Sequence, residues 1–226
     1  MMEQMKPNGK RANIALILIL ILLVLEVVLL VLWYLQYDLI QTAMNGEEIS
    51  SEVAETSDSI INIISILYMI LFIVSAATFL RWFVRAYQNL ELFSEDLIYN
   101  QKQALWAWFI PILNLLRPYE IMKELYTETR KLLVKYEPSN SEKIATTDYL
   151  SPWWGLWVIS NIIGQILLRF PFKVETMEGL NTFILVNIIA HLIAIPLCII
   201  AAKVIKDYSY METLLEKVKI TDITNS

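Results

Sequence analysis

Glu26, Asn161 and His191 are polar residues set deep in long apolar runs of a 226-residue chain. Taking each run as a helix at 1.5 Å per residue, Glu26 lies about 12 residues, or ~18 Å, from the start of its run. Asn161 lies about as far into its own, and His191 lies about 11 residues, or ~17 Å, from the end of its run. All three depths fall near the centre of a bilayer. An ionised carboxylate there costs on the order of 2.5 to 3.5 kcal/mol, so Glu26 is expected to face other helices, neutral or paired. His191 is the only histidine and the expected partner. Trp157, Asn161 and Gln165 share one helix face and Asn187 and His191 another, which predicts an inner polar stripe on each run. A Glu26–His191 contact would either carry a proton or bind a polar ligand, or else be a hydrogen bond that fixes helix order. One histidine and one carboxylate are too few for a closed zinc site.

The elements that must hold these groups follow from composition. Apolar residues make up 57% of the chain and charged residues 18%, and the apolar residues cluster. Residues 14–35, 60–83, 149–168 and 181–202 are each about 20 residues long and nearly uncharged, the length a helix needs to span a bilayer. Four transmembrane helices are expected. The first follows Lys6, Lys10 and Arg11 but has too long an apolar run and no small-residue cleavage site, which favours a retained anchor over a cleaved signal. The single cysteine, Cys198, excludes a disulfide framework within one chain.

Loop charge sets the expected orientation. Residues 36–59 hold six acids and no Lys or Arg, so this loop is expected outside, with its acids solvated. With alternating helices, the inside holds 3 Lys and Arg ahead of the first span, 9 in 81–148 and 4 after residue 202, against 2 in the second outer loop. That puts both chain ends in the cytoplasm of a multi-pass cell-membrane protein. It leaves no basic surface for nucleic acid.

The cytoplasmic stretch 84–148 is too long to be structureless. Residues 79–93 continue the second helix, with Phe83, Tyr87 and Leu90 on one face and Arg81, Arg85 and Gln88 elsewhere. Residues 105–116 are apolar and aromatic but too short to cross, and spanning length would bury Lys102 or Arg117. They are read as re-entrant, interfacial or buried in the bundle, with Pro111 favouring a buried or cavity-lining position. Pro118 suits the first turn of a helix running to about Tyr136, with Met122, Leu125, Thr129, Leu132 and Tyr136 as its stripe. Val204, Tyr208, Met211, Leu215 and Val218 form a similar stripe after the last span. Each needs a cover, either the other helix or the membrane surface. Residues 139–148 read as a polar linker.

Three blocks carry a resemblance. Trp82, Arg85, Ala86 and Asn89 form the first; Trp108, Phe109, Pro111, Ile112, Asn114, Leu115, Pro118 and Tyr119 the second; Trp153 and Trp154 the third. Over roughly residues 60–205 the chain resembles a bacterial integral-membrane family catalogued as domain of unknown function 4328. The resemblance implies a membrane architecture and brings no activity.

A juxtamembrane belt of Arg81, Arg85, Asn89, Trp106, Trp108, Pro111, Asn114 and Arg117 is a candidate lipid or ligand site. Arginines beside interfacial tryptophans suit an anionic headgroup, while Asn114 is placed to satisfy backbone groups near Pro111. The alternative is topological anchoring. No glycine-rich phosphate loop, paired zinc motif or nucleophile elbow occurs, and no cofactor is implied. The expected fold is therefore an all-α integral membrane protein, a four-helix bundle with a short proline-containing inner-leaflet segment and amphipathic cytoplasmic helices, forming one membrane domain. The expected function is non-enzymatic: an interaction, scaffold or sensor-like module that docks a lipid or protein partner at its inner face, with self-association left open. A small transporter using the midplane groups is the alternative.

Overall fold

A computed structural model describes residues 5–94, 96–136, 145–169 and 174–225, with side chains as far as 217. Residues 139–144 of the expected linker lie outside the described residues, as does the Val218 side chain. Among the described residues the chain is all-helical and has no strand. Its helices are α1 (Gly9–Met44), α2 (Ser51–Glu91), α3 (Gln101–Trp106), α4 (Arg117–Tyr136), α5 (Leu150–Arg169) and α6 (Met177–Asn225), with a 3₁₀ turn at Leu113–Leu115. Three of them, α1, α2 and α6, are long and apolar enough to cross a membrane. The fourth expected span coincides with α5, but its tryptophans, Asn161 and Gln165 keep it outside that group of three.

The chain divides into two compact units. The first comprises residues 1–17, 75–154 and 200–226. Its core is aromatic: Trp82, Phe83, Tyr87 and Leu90 of α2, Leu125 and Leu133 of α4, Trp153 of α5 and Tyr208 of α6 are all closed off from solvent. The two amphipathic stripes cover each other. Tyr126 Oη donates to the Val204 carbonyl at 2.6 Å, the Thr129 and Tyr208 hydroxyls lie 3.2 Å apart, and the Tyr126 and Tyr208 rings are 5.4 Å apart. The α4 stripe departs from expectation at its end, where Leu133 is buried while Tyr136 is exposed. The buried positions advance by four residues from Leu125 through Thr129 to Leu133, and that advance carries Tyr136 round to the open face.

Short polar clips tie the connecting segments to this core. Tyr87 Oη donates to Glu124 at 2.6 Å, and Glu124 also accepts from the Ile98 amide at 2.6 Å. Burial and the Glu124 carboxylate push the Tyr87 phenol well above its ordinary value, so it acts only as a donor. Asn100 caps α3 in a capping box with Gln103.

The second unit comprises residues 18–74 and 155–199. Its helix segments are apolar nearly all round, as expected for helices in hydrocarbon rather than in water. Gly46, at φ 86°, ends α1 in a left-handed turn that a residue with a Cβ takes up poorly. Ahead of that turn, within α1, Gln36 bonds Asp58 at 3.0 Å and accepts from Ser57 at 2.5 Å, while Gln41 bonds Asn181 at 2.9 Å. Asp58 is thus a bonded residue, unlike the simply solvated acid expected of this loop. Pro196 sits inside α6 and leaves the Leu192 carbonyl without its helical donor.

In the first unit the carboxylate of Glu212 is buried and accepts from two amides, Asn89 Nδ2 at 2.6 Å and Asn8 Nδ2 at 2.9 Å. Desolvation raises the Glu212 carboxyl above its ordinary 4.5, and Glu216 adds to this; the two amides and the charge of Arg85 pull the other way but do not cancel it. Between the ordinary and raised values the folded chain holds more protons than the unfolded one. Stability therefore falls as pH rises through that window and levels off above it. The unfolding temperature in detergent should show this as a wild-type minus Glu212→Gln difference that shrinks on raising the pH from about 4.5 towards neutrality; a pH-independent difference would mean that Glu212 ionises normally.

Candidate functional site

Glu26 emerges on the buried face of α1 because Leu22, Glu26 and Leu29 follow at helical spacing, and all three are closed off. Its carboxylate meets two side chains from other helices. Tyr68 of α2 donates its hydroxyl to Oε1 at 2.6 Å, and His191 Nδ1 of α6 lies 2.5 Å from Oε2. The His191 side chain is 12% exposed, against 1% for Glu26. Tyr68 also packs edge-on to the imidazole, with ring centroids 6.4 Å apart. The expected Glu26–His191 contact is present, with Tyr68 as a third member that sequence reasoning missed. A signal existed, since Tyr68 is the one tyrosine within 60–83.

Chemically, the cluster is a carboxyl group with a hydrogen-bond partner on each oxygen. A proton between Glu26 and His191 makes either an imidazolium–carboxylate pair or a neutral acid–imidazole pair, and both keep the site free of unpaired charge. Among the described residues no group of three or more metal-ligating side chains occurs.

The other expected midplane residues are not gathered here. Asn161 Nδ2 donates to the Trp157 carbonyl and Asn187 Nδ2 to the Phe183 carbonyl, each at 2.8 Å within its own helix. Asn161 and Gln165 are exposed, so the inner polar stripe expected on α5 is corrected to an outward one. An asparagine that finds its acceptor one turn back on its own helix needs no partner helix.

The juxtamembrane belt also sorts into parts. Asn89 is buried and wholly engaged, donating to the Lys6 carbonyl at 3.0 Å and to Glu212 while accepting from the Lys6 amide at 3.1 Å. It is a clip, with its side-chain amide already bonded within the chain. Trp108 is packed among Phe79, Phe83 and Trp154, at centroid distances of 5.4, 6.1 and 5.9 Å. Arg117 lies 5.3 Å over the Tyr99 ring and 4.0 Å from Glu120.

Pro111 is exposed, which corrects the buried or cavity-lining reading of residues 105–116. The segment is held from beneath. Trp154 Nε1 donates to the Leu115 carbonyl at 2.8 Å, the service expected of Asn114, whose side chain makes no hydrogen bond among the described residues. Ile112 adopts φ 70°, a left-handed conformation costly for a β-branched residue, and is 77% exposed. Trp106, Phe109 and Leu116 are exposed with it. Arg81 and Arg85 make no ion pair or hydrogen bond within the described chain.

A family model described as Domain of unknown function (DUF4328) matches residues 45–210. No curated protein and no solved structure matches the chain.

Direct contact predicts energetic coupling. In a double-mutant cycle of Glu26→Gln and His191→Ala, unfolding in detergent should give a coupling energy of about 1 kcal/mol or more, whereas additive losses would mean that the two side chains do not interact.

Proposed function

We propose that this chain, which belongs to the DUF4328 family, is a non-enzymatic multi-pass membrane module that docks lipid at its cytoplasmic face through residues 105–116. In this reading α5 is the fourth span beside α1, α2 and α6. The loop with six acids and no Lys or Arg lies outside, and both described ends of the chain lie within the cytoplasm.

One observation carries the reading: the outward apolar loop. Trp106, Phe109, Ile112 and Leu116 stand 59%, 59%, 77% and 64% exposed on a base of buried tryptophans. Lys102 and Arg117 border the loop on either side. Moving one such side chain out of water is worth roughly 1.5 to 3 kcal/mol. An apolar prominence with basic flanks is the form of an element seated in the headgroup and upper acyl region. The α4 stripe offers no rival docking surface, because α6 already covers it.

A second reading rests on the Glu26–His191–Tyr68 cluster, whose carboxyl, imidazole and phenol form a short chain of proton-bearing groups. A proton or ion role would use the Glu26 charge state. Flux in proteoliposomes that Glu26→Gln abolishes would favour this reading over docking.

The docking reading is tested by depth. In a Cys198→Ser background, an environment-sensitive fluorophore on Ile112→Cys should be blue-shifted in lipid nanodiscs and quenched by lipids labelled near the headgroup. A label with the spectrum seen in water would overturn the reading. Ile112→Gly should relieve the left-handed backbone and preserve stability to within about 1 kcal/mol while making the loop shallower.

A further inference from the structure

Arg81 and Arg85 stand one turn apart on α2, and Arg11 of α1 joins them around a single cavity of about 480 Å³. Leu80, Val84 and Leu105 complete much of its wall. Arg11 spends one N–H on the Pro7 carbonyl at 2.9 Å, and no carboxylate pairs with any of the three guanidinium groups among the described residues. Glu212 feels the charge of Arg85 but makes no ion pair with it. Arg85 Nε is closed off from solvent and has no acceptor. An arginine that merely reached up to water would keep its donors hydrated, and the Nε of Arg85 is cut off from it.

We infer that this cavity binds the phosphate of an anionic phospholipid headgroup, with Arg11, Arg81 and Arg85 as its donors. Three like charges around one hollow repel each other until an anion enters, and guanidinium forks match phosphate oxygens two at a time. The apolar wall selects the source of the phosphate. Leu80, Val84 and Leu105 suit the glycerol and first acyl carbons of a lipid and give a free inorganic ion nothing. Leu105 also leads into the outward apolar loop, so the inference rests on the docking reading and names the lipid class it serves. Arg11, which sequence reasoning placed only as a flanking charge, becomes a ligand residue.

Binding to the full chain in detergent would be measured for phosphatidylglycerol, for phosphatidylcholine with the same acyl chains, and for inorganic phosphate. The expected result is at least tenfold tighter binding of phosphatidylglycerol than of phosphatidylcholine. Arg11→Gln and the double Arg81→Gln, Arg85→Gln variant should each remove at least tenfold, while Arg130→Gln on the exposed side of α4 should change little. Should the double variant fail to fold, the single Arg11→Gln change carries the test. Equal binding of the two lipids, an equal loss in Arg130→Gln, or displacement of phosphatidylglycerol by inorganic phosphate at equal affinity would each overturn the inference. Failure here leaves the depth of residue 112 untouched, so the two readings fall separately.

Discussion

Closure of the α4 and α6 stripes around Tyr208 is the contact on which the first unit depends. The Tyr208 ring meets Trp82 at 6.0 Å and Tyr126 at 5.4 Å, and its hydroxyl meets Thr129. Burial pushes the phenol far above its ordinary value, so the contact is a neutral hydrogen bond at any physiological pH. The two amphipathic helices close their main apolar stripes against each other. The loop around Ile112 keeps Trp106, Phe109, Ile112 and Leu116 open together, and they stand over buried Trp153 and Trp154.

Two buried carboxylates show how differently the same group is accommodated. Glu212 is held by the amides of Asn8 and Asn89, which neutralise nothing and leave desolvation to dominate. Glu26 instead faces His191 and Tyr68, so one partner can itself bear a proton. The first arrangement suits a structural clip that joins three stretches of chain. The second suits a site whose charge moves without leaving an unpaired ion in an apolar surrounding.

The helices were legible because apolar run length and helical spacing report directly on span and face. Glu26 and His191 were legible together because polar groups in apolar runs have few ways to be satisfied. Asn161 and Gln165 misled for a related reason: an amide can close onto its own helix, and spacing does not reveal which carbonyl it chooses. Of the readings open for the loop, only the buried one drawn from Pro111 fails, because a proline signals a carbonyl without its helical donor and says nothing of exposure. Trp154, 39 residues away, bonds the Leu115 carbonyl, a different group from the Ala107 carbonyl that Pro111 frees, and a pattern confined to the loop carries no trace of that bond. Arg11 was hidden similarly, being close to Arg81 and Arg85 in space and some 70 residues away in sequence.

The clip between Asn8 and Glu212 joins residues 204 positions apart. A ribosome emits Asn8 204 residues before Glu212, so the start of α1 must wait for that length of chain before it meets this partner. The first unit is thus a long-range closure, slow to form relative to the local helices it joins. Until then Asn8 has the Trp82 carbonyl and Asn89 the Lys6 backbone to bond, but the carboxylate that joins the two amides is missing, and a chain cut short before α6 is complete lacks it.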